Sequence, residues 1–200
     1  MILDGDLRRG ERVRQEEIAE ELGVSRIPVR EAIIALDREG WLTDEHHRGA
    51  YVNGLDQAMV RDHYELLGIV YGLVARRATE RADDAAVKDL SAAQRALSAE
   101  TDADTVLAVN DAYLRQLTRM ADSVRLTALL RVMSGVIPGN FFAVVPGAIA
   151  NQKRGAAAIT KAVRARDGDA AARASERMLM AQGESVSDLL TERDVFRSDG

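Results

Sequence analysis

The sequence predicts a mainly α-helical protein in two parts. Residues 1–54 form an N-terminal winged helix-turn-helix with a small β-wing, and residues 55–200 form an all-α antiparallel helical bundle. Three observations predict this. Hydrophobic residues make up 46% of the chain and aromatics only 4%, which suits a helical core rich in Leu and Ala. Near residue 55 short elements punctuated by glycine give way to long Ala/Leu/Arg-rich runs. The stretch GVSRIPVREAI, Gly23 to Ile33, carries the turn and first-turn signals of the second helix of such a motif.

In the first part, Gln15 to Leu22 reads as a helix with Ile18, Ala19 and Leu22 on one face and Glu16 and Glu17 in its first turn. Gly23 supplies the residue that stops it. Ser25 is a natural N-cap for the next helix, and Val24 and Val29 have the spacing of a hydrophobic staple. Pro28 falls in the first turn, where a missing N–H removes no internal bond. Val29, Ile33 and Leu36 face inward, and Gly40 ends the helix. Trp41 to Thr43 and Ala50 to Val52 read as two short strands joined by the loop Asp44 to Gly49.

From Asp56 onward apolar residues recur at helical spacing over about 56–81, 84–99, 103–121, 123–137, 148–166 and 169–191, with a break at Pro138-Gly139. An antiparallel bundle buries such stripes. Phe141, Phe142, Val144 and Val145 either continue a helix or cover one end of the bundle.

Composition narrows the chemistry. The chain has no Cys and three His, at 46, 47 and 63, so disulfides and thiolate metal sites are excluded and imidazole ligands are scarce. No catalytic residues are expected, because neither a paired acid/base motif nor a Gly-rich phosphate loop followed by lysine occurs. There is no run of 18 apolar residues and no apolar leader, so the expectation is a cytoplasmic protein without membrane contact. The net charge is −5, and residues 1–55 carry 8 Lys/Arg against 12 Asp/Glu. Nucleic-acid binding must therefore rest on local placement of charge.

That placement exists. If Ser25 caps the helix, Arg26 is its first residue and Arg30 lies one turn on, stacked on the face away from Val29 and Ile33. The N-terminal turn of such a helix enters a major groove, and arginine grips guanine or phosphate best. His46, His47 and Arg48 repeat the charge on the wing, and Gly49 would let its backbone approach a groove closely. An isolated Arg pair is usually a solvated helix face. The turn glycine, proline and wing beside it favour DNA, although His46 and His47 read equally well as an exposed loop.

ERVRQEEIAEELGVSRIPVREAIIALDREGWL followed by RGAYV closely resembles the winged-helix domain of the GntR transcription regulators. The following 145 or so residues, with the ending AITKAVRARDGDAAARA, are similar to the FadR-type helical effector domain called FCD. The resemblance implies a homodimeric, ligand-responsive DNA-binding regulator, most often a repressor, acting on a near-palindromic double-stranded DNA operator. It carries the DNA-reading positions onto Ser25, Arg26, Ile27, Arg30, His46, Arg48 and Gly49. Ile27 stands where Thr is usual, which trades a hydroxyl for a surface that suits a thymine methyl. The family's longer first helix has no counterpart ahead of DGDLRRGE.

Many FCD domains hold a metal with one Asp and three His. Here those positions fall on Asn110, Leu114, Ala156 and Met178, so the expectation is no metal and no cofactor. The family's Arg and Glu on the first bundle helix correspond to Leu67 and Tyr71. Leu67, Tyr71, Asn110, Leu114, Ala156 and Met178 would line a mainly apolar pocket. A small carboxylate would be desolvated there without a partner, so an apolar or weakly polar effector is expected. The alternative is that Leu114 and Met178 simply pack the core and no pocket exists. For the whole protein, the alternative is a bundle that binds a ligand or dimerises while the winged helix serves protein contacts.

Overall fold

In this computed structural model the described residues are 7, 9–38, 40–45, 48–133 and 139–196. The chain divides into two compact units, residues 1–59 with 190–200 and residues 60–189.

The first unit contains β1 (Arg12–Val13), α1 (Gln15–Glu21), α2 (Arg26–Arg38), β2 (Leu42–Glu45) and β3 (Gly49–Val52). The sheet is antiparallel in the order β1-β3-β2, with Arg12 opposite Tyr51 and Leu42 opposite Val52. Its core joins Val13, Ala19, Val29, Ile33, Leu42, Ala50 and Val52, with Leu36 and Trp41 packed at the edge. Burying one such branched side chain contributes about 1.5–3 kcal/mol, which is what holds α2 to the sheet. The predicted helices are present. The wing strands are shifted or lengthened: β2 starts one residue later than expected, leaving Trp41 out, and ends two later, β3 starts one earlier, and β1 is an addition. Asn53 fixes the entry to β2: its Nδ2 donates to the carbonyls of Gly40 and Leu42, each at 2.9 Å, while its Oδ1 accepts from Thr43 Oγ1 at 2.6 Å.

The two longest helices are α3 (Gln57–Arg81) and α9 (Gly168–Glu192). Between them the bundle contains α4 (Asp84–Ala99), α5 (Ala103–Ala121), α6 (Val124–Val132), α7 (Phe141–Val144) and α8 (Ala148–Arg164). Side-chain caps start several of these helices where the sequence provides Asp, Ser or Asn. Asp83 accepts from the Ala86 N–H, Asp102 from Thr105, Ser123 from Leu126 and Asn140 from Phe142. Arg81 Nη1 donates to the carbonyls of Ala121 and Asp122, each at 2.7 Å, and so satisfies the C-terminal end of α5.

Of the helix expected over 123–137, α6 covers Val124–Val132 with Met133 as its C-cap, and residues 134–137 lie outside the described residues. Only Leu126 of α6 is buried, so its apolar stripe does not correspond to a packed face. Phe141 to Val144 form a separate helical turn, α7, with Phe142 buried. Among the described residues no helix is long and apolar enough to cross a membrane.

Candidate nucleic-acid interface

Helix α2 is seated from behind. Val29 and Ile33 anchor α2 in the core, 6% and 3% exposed, and turn Arg26, Ile27 and Arg30 outward. Gly23 adopts φ +65°, and the chain then bonds Val24 N to the Ala19 carbonyl at 3.0 Å, which closes the turn between α1 and α2. Ser25 precedes the first helical residue as expected, but its hydroxyl has no hydrogen-bond partner among the described residues. The third helical residue is Pro28, so the N–H that such a cap most often takes does not exist. The hydroxyl is left exposed on the outer face.

Arg26 is not the free cation that its own helix suggested. Its Nη1 lies 2.8 Å from Glu16 Oε1 on α1, in a pair about 70% exposed on both sides. Arg30 has no ion-pair partner among the described residues. Ile27 is 71% exposed, a large branched apolar side chain offered to solvent between two arginines. On the wing, Arg48 Nη1 sits 3.2 Å from Glu45 Oε2. Gly49 has φ +101°, and a Cβ there would meet Arg12 Nε at 3.0 Å. The close approach that Gly49 permits is thus occupied by the Arg12 guanidinium from β1. Arg12 and Glu16 are the two charged residues here that sequence reasoning missed. Of the seven expected positions, His46 lies outside the described residues, as does His47.

Two of the six expected pocket residues line a cleft in the bundle, and the other four are buried. Tyr71 and Leu114 wall an open cleft of about 750 Å³ between α3, α5 and α6, which is also lined by Thr118, Arg115, Arg119 and Arg131. Burial, with the Asp111 carboxylate adding to it, pushes the Tyr71 phenol up to about 12, so it stays a neutral hydroxyl. Leu67, Asn110, Ala156 and Met178 are all buried. Where α5, α8 and α9 meet, Gln152 Nε2 donates to Asn110 Oδ1 at 2.6 Å and Gln182 Nε2 donates to Gln152 Oε1 at 2.6 Å. Asn151 Nδ2 reaches the Met178 carbonyl at 3.1 Å. The Tyr113 hydroxyl contacts the Ala156 carbonyl at 3.1 Å and Thr160 Oγ1 at 3.2 Å.

This donor set does not fit a metal ion. An engaged neutral amide, a leucine, an alanine and a thioether stand where carboxylate and imidazoles would be needed. Among the described residues no three His, Asp or Glu cluster closely enough to hold one.

A helix-turn-helix backed by a three-stranded sheet, carried on one chain with an all-helical unit, defines a two-part winged-helix protein. Residues 1–52 match the model of the gntR family of bacterial regulatory proteins, and residues 62–181 match that of the FCD domain. The chain is 32% identical over 142 residues to an uncharacterized HTH-type transcriptional regulator of Mycobacterium tuberculosis, a match covering 71% of this chain and 58% of that one. It thus spans about three fifths of that relative's length. It is 27% identical over 197 residues to the HTH-type transcriptional repressor RspR of Escherichia coli, covering 95% and 86% of the two chains. A crystal structure of a GntR family member from Pseudomonas syringae has the same fold, with a TM-score of 0.58 at 21% identity over 96% of this chain and 82% of that one. The chain belongs to the GntR family and carries its winged helix-turn-helix together with an FCD domain.

Proposed function

We propose that this protein is a sequence-specific, DNA-binding transcriptional regulator that acts in the cytoplasm as a homodimer on a near-palindromic operator. The observation that carries the reading is the outward turn of α2. Arg30, unpaired among the described residues, and Ile27, 71% exposed, stand on a helix whose opposite face is buried. A guanidinium and a branched aliphatic at that position suit guanine O6/N7 and a neighbouring thymine methyl. Ser25, Arg26, Arg48 and Gly49 complete the contact from the turn and the wing, and His46 belongs to the same proposed set. The family relationship supports the reading, and the repressor name of the Escherichia coli relative makes repression the favoured direction. The boundary we propose between the DNA-binding and effector parts lies at residues 54 and 55.

For the effector site we assign the cleft beside Tyr71 and Leu114. Its apolar wall and arginine rim suit a small molecule that is largely apolar with one polar end. Leu67, Asn110, Ala156 and Met178 act from behind as packing.

Capture of genomic fragments by the full chain, beside Arg26→Ala/Arg30→Ala, tests the function. The expected result is a two-fold motif enriched by the wild type alone, with Arg30→Ala costing roughly 1–3 kcal/mol of operator affinity. The acidic balance of residues 1–55 favours a second reading, in which the winged helix contacts protein. A folded dimer that retains no duplex DNA at low salt would establish it.

A further inference from the structure

The glycine of the wing is a seat for an arginine from another strand. Gly49 adopts φ +101°, a conformation that residues with a side chain rarely take. A Cβ placed on it would lie 3.0 Å from Arg12 Nε and 3.3 Å from Arg12 Nη2. The strand register explains the contact. Arg12 stands opposite Tyr51 across β1 and β3, and a long side chain reaches the diagonal position two residues along the neighbouring strand, which here is Gly49. The guanidinium therefore lies against bare backbone.

Charge separates this arginine from its neighbours in the first unit. Arg9 is matched with Asp56, Arg14 with Glu17, Arg26 with Glu16 and Arg48 with Glu45. Glu45 stands directly opposite Gly49 on β2, yet it is Arg48 that takes it. Arg12, Arg30 and Arg38 have no ion-pair partner among the described residues. Arg38 lies in the last turn of α2, where the negative end of the helix dipole offsets its charge. Arg30 belongs to the outward face of α2 already assigned. Arg12 is left as an exposed cation with a fixed seat and no acid. A side chain ordered before its partner arrives loses less freedom on binding, so this one is prepared for an anion.

We propose that Arg12 is a further DNA-contacting residue, whose guanidinium takes a backbone phosphate beside the groove that the wing approaches. The proposal rests on the DNA-binding reading above and adds β1 to the contacts from α2 and the wing. A phosphate suits the site better than a base edge. Arg12 comes from an edge strand beside the β2–β3 hairpin, so it meets the wall of a groove before its floor, and contacts to the wall fix register rather than read sequence. Gly49 then has a second role, because its bare backbone sets where the Arg12 side chain lies.

Titration of random-sequence duplex DNA with the full chain, followed by fluorescence anisotropy across a salt series, tests the contact. Arg12→Gln should weaken binding roughly tenfold at low salt and make the log K against log salt slope shallower by about one for each protomer bound. Arg12→Lys keeps a charge on the same strand and should recover most of that slope. Arg38→Gln removes the same charge from the far end of α2 and should leave the slope close to that of wild type. Circular dichroism and thermal melting establish that each variant is folded. All three should melt with the wild type, because Arg12 and Arg38 are exposed and unpaired among the described residues. An unchanged slope in Arg12→Gln, a slope in Arg12→Lys as shallow as in Arg12→Gln, or an equal loss in Arg38→Gln would overturn the contact and leave the DNA-binding reading standing. A folded wild-type chain that retains no duplex at low salt would overturn both.

Discussion

Glu16 and Arg26 form an ion pair across the turn of the helix-turn-helix, 2.8 Å apart. The acid of one helix therefore holds the first side chain of the other. Both ends are about 70% exposed, so the pair adds at most about 1 kcal/mol to stability. On the proposed function, its larger effect falls on how freely Arg26 meets a phosphate. Glu16→Gln should leave the melting temperature nearly unchanged. It should tighten binding to random duplex DNA and steepen the log K against log salt slope by about one. Fluorescence anisotropy across a salt series measures this, and an unaltered slope would remove Arg26 from the phosphate contacts.

Gln152 is the middle of a buried amide ladder and serves both neighbours. Gln152→Leu strands Asn110 Oδ1 and Gln182 Nε2, at about 1–3 kcal/mol for each unpaired group. A loss of roughly 2–5 kcal/mol in urea unfolding is expected. Leucine at all three positions should recover much of it, because no polar group is then left alone. A triple variant less stable than Gln152→Leu would show that the ladder stabilises beyond its own pairing.

At Gly155 an added methyl runs into the Met178 side chain. Alanine gains about 1 kcal/mol of helix propensity over glycine, while overpacking costs about 1–3 kcal/mol. Net destabilisation of Gly155→Ala is expected, with only partial relief in Gly155→Ala/Met178→Ala, because the Met178 Cβ stays 2.7 Å from the added methyl. Thermal unfolding of the two variants decides it, and a stabilised Gly155→Ala would mean that α8 and α9 shift apart at little cost.

His63 predicts an acid-sensitive bundle. Its Nε2 is buried without a hydrogen-bond partner among the described residues, and burial lowers its pKa in the folded chain. In the unfolded chain the imidazole keeps a value of about 6.5. The unfolded state therefore takes up the proton first, and stability falls as the pH drops below about 6.5 until the lower folded pKa is passed. Above that window His63 is neutral in both states and contributes no slope. His63→Leu should melt with a flatter dependence on pH between 7 and 5, and an identical slope would exonerate the histidine.

Much of the fold was legible because its signals are local. Asp83, Asp102 and Ser123 cap helices within three residues of themselves, and the 3.6-residue repeat of α5 needs no distant partner to be read. What escaped depends on residues far apart in sequence. Glu16 meets Arg26 only after the turn folds, and Arg12 reaches Gly49 only across the sheet. At two residues, β1 is too short to show alternation. By spacing, Leu129, Val132, Met133 and Val136 resemble a buried face, yet α6 leaves Leu129 and Val132 43% and 62% exposed, and Val136 lies outside the described residues. Periodicity marks an amphipathic helix but not what covers it. In the bundle the family resemblance grouped six residues as one pocket; Tyr71 and Leu114 line a cleft, and Leu67, Asn110, Ala156 and Met178 are buried. The amides Asn110, Gln152 and Gln182 stood in apolar stripes, a signal that could have marked them as a buried set.

The three-stranded sheet has one further consequence, for how the protein behaves when crowded. β3 lies at its centre, so β1 and β2 are both rims with backbone groups turned outward. Open rims invite strands from other molecules and seed aggregates. Here β1 offers only two residues, too few to template a ladder. β2 is longer, but Asp44 and Glu45 stand exposed along it, so an approaching copy meets its own negative charge. Copies gathered at high local density on one DNA site would thus not fuse wing to wing, and the acidic residues that weaken the general attraction to DNA would help keep them apart.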